Sequence, residues 1–184
     1  MNLSIQHTKL NRIFASIVLA ISFTIYFFTM APTVSYWDCG EFIATSFILG
    51  VPHPPGSPFF LLLGRIASML PITEDIAFRV NLLSPISSAF AVMFLYLSCV
   101  KLISSYRGKV KSTVDAIIVF GSSMIGSLTF AFTDSHWFNA VEAEVYSLST
   151  FFTSIVVWLI LKWNKNSGHD GNIRYIAEQA VAAG

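Results

Sequence analysis

Residues 13–30 read Ile-Phe-Ala-Ser-Ile-Val-Leu-Ala-Ile-Ser-Phe-Thr-Ile-Tyr-Phe-Phe-Thr-Met, an almost unbroken apolar run without a charged residue. A helix rises ~1.5 Å per residue, so this run is long enough to cross ~30 Å of hydrocarbon. It follows a polar start carrying Lys9 and Arg12. A cleavable leader has the same basic start but a core of about 7 to 15 residues and an A-x-A-like cleavage site. Here the run continues into Ala31-Pro32 with no such site, so it reads as a retained first transmembrane helix.

The rest of the chain follows the same pattern. Hydrophobic residues make up 54% and charged residues only 11%, against about 25% charged in soluble domains. Val80–Leu102 reads as a second span, with a kink predicted at Pro85, which membrane helices tolerate where neighbours satisfy the freed backbone. Val114–Thr133 reads as a third, in which Gly121, Ser122, Ser123, Gly126 and Ser127 predict a small-residue face for close packing. Leu148–Trp163 completes the set. The expected fold class is an all-α integral membrane bundle of about four transmembrane helices.

Between the first two spans lies a long loop, residues 32–78, holding two apolar pieces too short to cross, Phe42–Val51 and Phe59–Leu70. Pro52, Pro54, Pro55 and Pro58 separate them, since proline ends a helix and restricts its predecessor. Two surface-lying or re-entrant helices are expected there. The final residues, 166–184, read as a polar tail or the start of a further segment, and 1–165 as the amino-terminal membrane portion of a larger protein.

Charge sets the orientation. With a cytoplasmic N-terminus, nine of the eleven Lys/Arg fall on the cytoplasmic side and only Arg65 and Arg79 fall outside, as the positive-inside rule requires. The same topology puts Asp38, Glu41, Glu74, Asp75, Asp134, Glu142 and Glu144 outside, so the functional face is expected to be the outer one. The composition reads as bacterial, which places the protein in an inner membrane. No Lys/Arg stripe tracks a phosphate backbone, so a nucleic-acid partner is excluded. Cys39 and Cys99 stand 60 residues apart without metal-ligand spacing, and no cofactor is assigned from them.

The chemistry-bearing residues gather in the two outer loops. Trp37-Asp38-Cys39-Gly40-Glu41 places two carboxylates beside an aromatic residue. On a helix starting near Asp38, positions 38, 41 and 45 share one stripe. A desolvated carboxylate at a membrane edge can take a proton from a hydroxyl, the role that inverting glycosyl transfer assigns to a base. The pair also offers hard oxygen ligands for a divalent cation. The plainer account is a helix-capping pair, Asp38 as N-cap and Glu41 at N3, with Trp37 in an interfacial aromatic belt.

His53 sits on a stiff Pro-His-Pro-Pro-Gly turn where its ring could meet a sugar or phosphate. Arg65 and Arg79 could each bind an anionic phosphate, or pair with a loop acid such as Glu74 or Asp75. In the second loop, a helical reading puts Asn139, Glu142 and Tyr146 on one stripe and Glu144 on another, as the facing wall of the same pocket or a solvated helix end.

Taken together, Trp37–Ala44, His53-Pro54-Pro55-Gly56, Leu63-Gly64-Arg65, Arg79–Ser84 and Ala140–Leu148 resemble a polytopic membrane family long of unknown function. Its vertebrate member is the endoplasmic-reticulum O-mannosyltransferase acting on IPT domains of plexin-type receptors. The resemblance covers roughly residues 10–165 and implies a GT-C-like glycosyltransferase. Such an enzyme takes sugar, mannose first, from a polyprenyl-phosphate carrier to Ser/Thr of an acceptor protein on the non-cytoplasmic face of the bilayer. It implies Asp38 as base, Glu41 as helper or ligand and Arg65 or Arg79 on the donor phosphate, with Trp37, His53, Asn81, Glu142, Glu144 and Tyr146 as binding residues. A rival reading is a transporter using Asp38, Glu41 and Glu142 as proton or cation sites, although those acids lie in loops and not in mid-span. A non-catalytic scaffold would leave the motifs as shape alone.

Overall fold

The computed structural model describes residues 3–54, 56–108, 110 and 112–166. Pro55, Lys109, Lys111 and the tail from residue 167 onward lie outside the described residues. The described chain is helical, in the order α1 (Leu3–Thr29), α2 (Cys39–Ile48), α3 (Pro58–Ser68), α4 (Ile76–Asn81) and α5 (Leu83–Arg107). Then follow α6 (Thr113–Ala116), a π-turn (Ile117–Gly121), α7 (Ser122–Ala131), α8 (Asp134–Ala140) and α9 (Val145–Asn166). Four helical stretches are long and apolar enough to cross a bilayer: His7–Thr29, Ile76–Arg107, Thr113–Ala131 and Val145–Asn164. The protein is an all-α, multi-pass integral membrane protein.

α5 is the central helix, packed against α1, α7 and α9. Val18 and Tyr26 of α1, Ala89, Val92 and Tyr96 of α5, and Val119 and Phe120 of the π-turn form its core. Two tyrosines carry their polar ends inside. Tyr26 donates from its hydroxyl to the Ala131 carbonyl at 2.8 Å and Tyr96 to Asn11 Oδ1 at 3.0 Å. Each bond is worth about 1 kcal/mol net, and more is at stake if a partner is removed and the other is left buried alone.

The second span differs from the uniform kinked helix expected. The chain breaks at Leu82, three residues before Pro85. A proline ring clashes with the carbonyl four residues back, here that of Asn81. Ending α4 at Asn81 and restarting at Leu83 removes the clash, and Pro85 falls in the first turn of α5, where its missing N–H costs nothing. The small-residue face of the third span is only half realised. Ser123 and Ser127 are buried, whereas a Cβ at Gly121 or Gly126 would meet nothing. The π-turn just before α7 adds a residue to one turn and so rotates the helix that follows it.

At one end of the bundle α2, α3 and α4 form a cap with its own core of Cys39, Phe42, Ile43, Phe60, Leu61, Val80 and Ala143. The two short loop helices appear where the prolines predict them. α2 and α3 cross at Gly64, where an added Cβ would stand 2.7 Å from Ser46 Cβ. Asp75 caps α4 by accepting from Phe78 N at 3.1 Å, a contact worth about 1 kcal/mol.

Candidate functional site

The cap places the Asp38–Glu41 segment against the connection between α8 and α9, and one side chain ties them. Asn81 is fully buried. Its Nδ2 donates to the carbonyls of Ala31 and Thr33, both at 2.9 Å, and its Oδ1 accepts from Ala143 N at 3.1 Å and from the Cys39 thiol at 3.6 Å. Every polar atom of the amide is thereby committed to the protein. Asn81 positions the acids on both sides and has no group left for a substrate.

The capping pair expected of Asp38 and Glu41 does not form. Asp38 has helical backbone angles and makes no side-chain cap. Glu41 turns instead to the proline-rich loop, accepting from His53 N at 2.8 Å through Oε1 and facing His53 Nδ1 at 2.7 Å through Oε2. These two contacts hold the Glu41 carboxyl below the usual carboxylate range. The hydrogen bond to Glu41, with the charges of Glu41, Asp38 and Glu144, raises the His53 imidazole. Among the described residues Asp38 has no hydrogen-bonded partner for its carboxylate, and it is exposed. Ligand atoms of Asp38, Glu41 and His53 all lie within 4.8 Å of one another.

Trp37, just before Asp38, has φ +62. That left-handed conformation costs a bulky residue of order 1 kcal/mol or more. Its ring is 84% exposed, so burial of the side chain is not what compensates for the strain.

The helical stripe expected for the second loop is absent. α8 ends at Ala140 and α9 begins at Val145, so residues 141–144 form a non-helical turn. That turn buries Glu142 and Glu144, which are 3% and 7% exposed, and the solvated helix end is ruled out for them. The Glu142 Oε1 atom has no hydrogen-bond partner. Burial pushes the Glu144 carboxyl up to about 7, with Glu142 and Asp38 adding like charge. Desolvation raises the Cys39 thiol, and Glu142 and Glu144 raise it further. Glu144 N donates to Ser84 Oγ at 3.3 Å. Tyr146 stands exposed on the first turn of α9, and Asn139 Nδ2 bonds back to the Ser135 carbonyl at 2.7 Å.

The two arginines are occupied elsewhere. Arg65 donates to the Phe47 carbonyl and lies 5.4 Å from the Phe47 ring centroid. Arg79 donates to the carbonyls of Thr73 at 2.6 Å and Ser68 at 2.7 Å, pinning the α3–α4 turn.

An open groove of about 680 Å³ runs between α3 and α9, lined by Ser57, Phe59, Phe60, Leu148 and Phe152, with Ser149 and Thr153 supplying hydroxyls. Its lining includes Val145, the residue after Glu144, and Ser57, four residues after His53. Sequence reasoning singled out none of these groove residues. The available signal was aromatic Phe59 and Phe152, each early in an apolar helix that follows an acid- or histidine-bearing turn.

The family described as "Protein O-mannosyl-transferase TMEM260 N-terminal domain" matches residues 38–184. The chain belongs to the TMEM260 N-terminal domain family. Members similar to it include the protein O-mannosyl-transferase tmem260 of Dictyostelium discoideum, 29% identical over 154 residues, which cover 82% of this chain and 17% of that protein. The protein O-mannosyl-transferase TMEM260 of Mus musculus is 28% identical over 172 residues, covering 94% and 22%. The chain thus spans about a fifth of the length of these curated TMEM260 relatives. No solved structure matches it. The family match begins at Asp38, so the whole acid-bearing cap and the Glu142–Glu144 turn fall within the TMEM260 N-terminal domain.

Proposed function

We propose that this chain is the amino-terminal part of a GT-C-type membrane glycosyltransferase. It moves a sugar, with mannose the first choice, from a polyprenyl-phosphate donor to Ser/Thr of an acceptor protein, with inversion at the sugar carbon. The face that works is non-cytoplasmic, with the N-terminus in the cytoplasm of a bacterial inner membrane. The observation that carries the reading is the convergence of Asp38, Glu41, His53, Glu142 and Glu144, from connections about 90 residues apart in sequence, at one end of the bundle. The relatives' names supply the reaction class.

Roles follow from the environment of each group. Asp38, exposed and free of hydrogen bonds, takes the proton from the acceptor hydroxyl as the oxygen attacks the sugar carbon, while the polyprenyl phosphate leaves from the opposite face. Glu41 is held ionised by His53 and keeps that turn in place. The apolar groove between α3 and α9 suits the first isoprene units of a lipid carrier, because its lining is largely aromatic and aliphatic and includes Val145, the residue that follows Glu144. Trp37 offers an exposed ring for a sugar face, and Tyr146, next to Val145 of the groove lining, an exposed side chain. Arg65 and Arg79 bond to backbone carbonyls through one and two of their nitrogens, and the guanidinium N–H donors that remain are those offered to a donor phosphate.

The test uses membranes containing the protein in its complete form, labelled polyprenyl-phosphate mannose and a Ser/Thr-containing acceptor. Transfer is expected from the wild type and a loss of about a hundredfold or more from Asp38→Asn. Unchanged transfer by that variant would remove Asp38 as the base. Flux of a small solute without transfer would favour a transporter.

A further inference from the structure

We infer that α3 is sunk into the bilayer leaflet on the cap side, with its bare face against phospholipid acyl chains and Arg65 at the level of the lipid phosphates. The inference does not depend on sugar transfer. α3 is apolar on two faces. Phe60, Leu61, Gly64, Ala67 and Ser68 turn into the cap, whereas Phe59, Leu62, Ile66 and the C-cap residue Met69 are each more than half exposed. These four stand at i, i+3, i+7 and i+10, the spacing of one helical face. Single apolar residues are scattered over any protein surface, but a continuous row marks a surface that meets lipid or protein. Residues 58–72 contain one charged group, Arg65, which borders this row.

A neighbouring span fixes the depth of the row. The Phe59 ring packs on that of Phe152, with centroids 5.6 Å apart. Phe152 belongs to the span Val145–Asn164 and stands seven residues after Val145, which is about 10 Å along the helix axis. Ser57 and Pro58 border the same groove as Thr153, one residue deeper. The start of α3 therefore lies beside a spanning helix and not above it, at the depth to which apolar helix faces sink in an interface. That continuity selects lipid as the occupant, because the row extends the bare flank of α9, a span that faces hydrocarbon. Arg65 fits the same placement. It gives one nitrogen to the Phe47 carbonyl, its further N–H donors suit lipid phosphates, and its aliphatic stem can follow the apolar face while the charged head stays at the interface. For a polyprenyl donor, where alone the transfer reading is needed, the consequence is a route. Phe59 belongs both to the exposed row and to the wall of the α3–α9 groove, so an isoprene chain passes from the leaflet into the groove without crossing water.

The experiment places the photo-reactive residue p-benzoyl-phenylalanine at Leu62 or at Ile66 of the complete protein, reconstituted in vesicles of phosphatidylcholine and phosphatidylglycerol. Both side chains are exposed, so the larger group displaces no core. After irradiation and digestion the labelled peptide is weighed by mass spectrometry. An adduct carrying one phospholipid is expected at both positions, several-fold more abundant than at Glu74, an exposed residue of the α3–α4 connection. Adducts to another segment of the protein would mean that protein covers the row, and the absence of lipid adducts would mean that it faces water; either result overturns the inference. Lipid labelling as strong at Glu74 as at Leu62 and Ile66 overturns it too. Sugar transfer by the unlabelled protein is measured separately. Lipid adducts at both positions without any transfer keep α3 in the leaflet and sink the reaction alone.

Discussion

Asn81 Oδ1 accepts a hydrogen bond from the Ala143 amide at 3.1 Å, joining two residues 62 positions apart in the sequence. Since Asn81 also holds Ala31, Thr33 and Cys39, one buried amide sets the spacing between the Asp38–Glu41 segment and the Glu142–Glu144 turn. Asn81→Ala strands two carbonyls and an amide in the cap, each at about 1–3 kcal/mol if left unpaired. The variant is expected to lose roughly 2–5 kcal/mol of stability, read as a lower thermal unfolding midpoint in detergent. An unchanged midpoint would show that the amide does not hold the cap together.

Gly64 is where α3 crosses α2. An alanine Cβ there would stand 2.7 Å from Ser46 Cβ, closer than real atoms approach, and Ser46 sits on backbone that cannot swing aside. Gly64→Ala is expected to cost about 1–3 kcal/mol by overpacking, and pairing it with Ser46→Gly should recover most of that. Failure of the double variant to recover would place the strain elsewhere.

His136 gives a pH signature. It is buried in α8 with its ring 4.4 Å from that of Phe130, and burial lowers its pKa from 6.5 to about 4. The unfolded chain therefore binds the extra proton between pH 6.5 and 4 while the fold refuses it. By linkage, stability from this group is complete above about pH 6.5 and falls as pH drops through the window. Thermal midpoints measured from pH 7 to 4.5 should fall more steeply for the wild type than for His136→Phe. Parallel curves would mean that His136 does not contribute.

Trp37 separates folding from function. Glycine accepts φ +62 without strain, and the exposed indole buries little. Trp37→Gly should leave the unfolding midpoint near that of the wild type while lowering sugar transfer severalfold. A large drop in midpoint would mean that the ring packs in the assembled protein.

The spans and the two loop helices were legible from apolar run length and proline placement. Side-chain destinations were less so. The capping pair failed because Glu41 finds two nitrogens of His53, twelve residues on, and no local pattern encodes that preference. The Glu142–Glu144 turn was read as helix because its residues permit one, yet the Asn81 and Ser84 side chains capture the amides of Ala143 and Glu144. The break at Leu82 instead of Pro85 was readable in principle, since the proline's clash falls four residues upstream. The groove between α3 and α9 needed the tertiary arrangement, because its walls come from helices about 90 residues apart.

α9 enters its span one residue after Glu144 and is the least covered of the four spans, resting along α5 with most of its flank bare. Its near end packs on the cap, Val145 and Leu148 against the cap core and Phe152 against Phe59 of α3, so a tilt of the bare length pivots about the end that carries Glu144. Whatever crowds the bare flank, lipid or further protein, therefore acts as a lever on the position of that carboxylate.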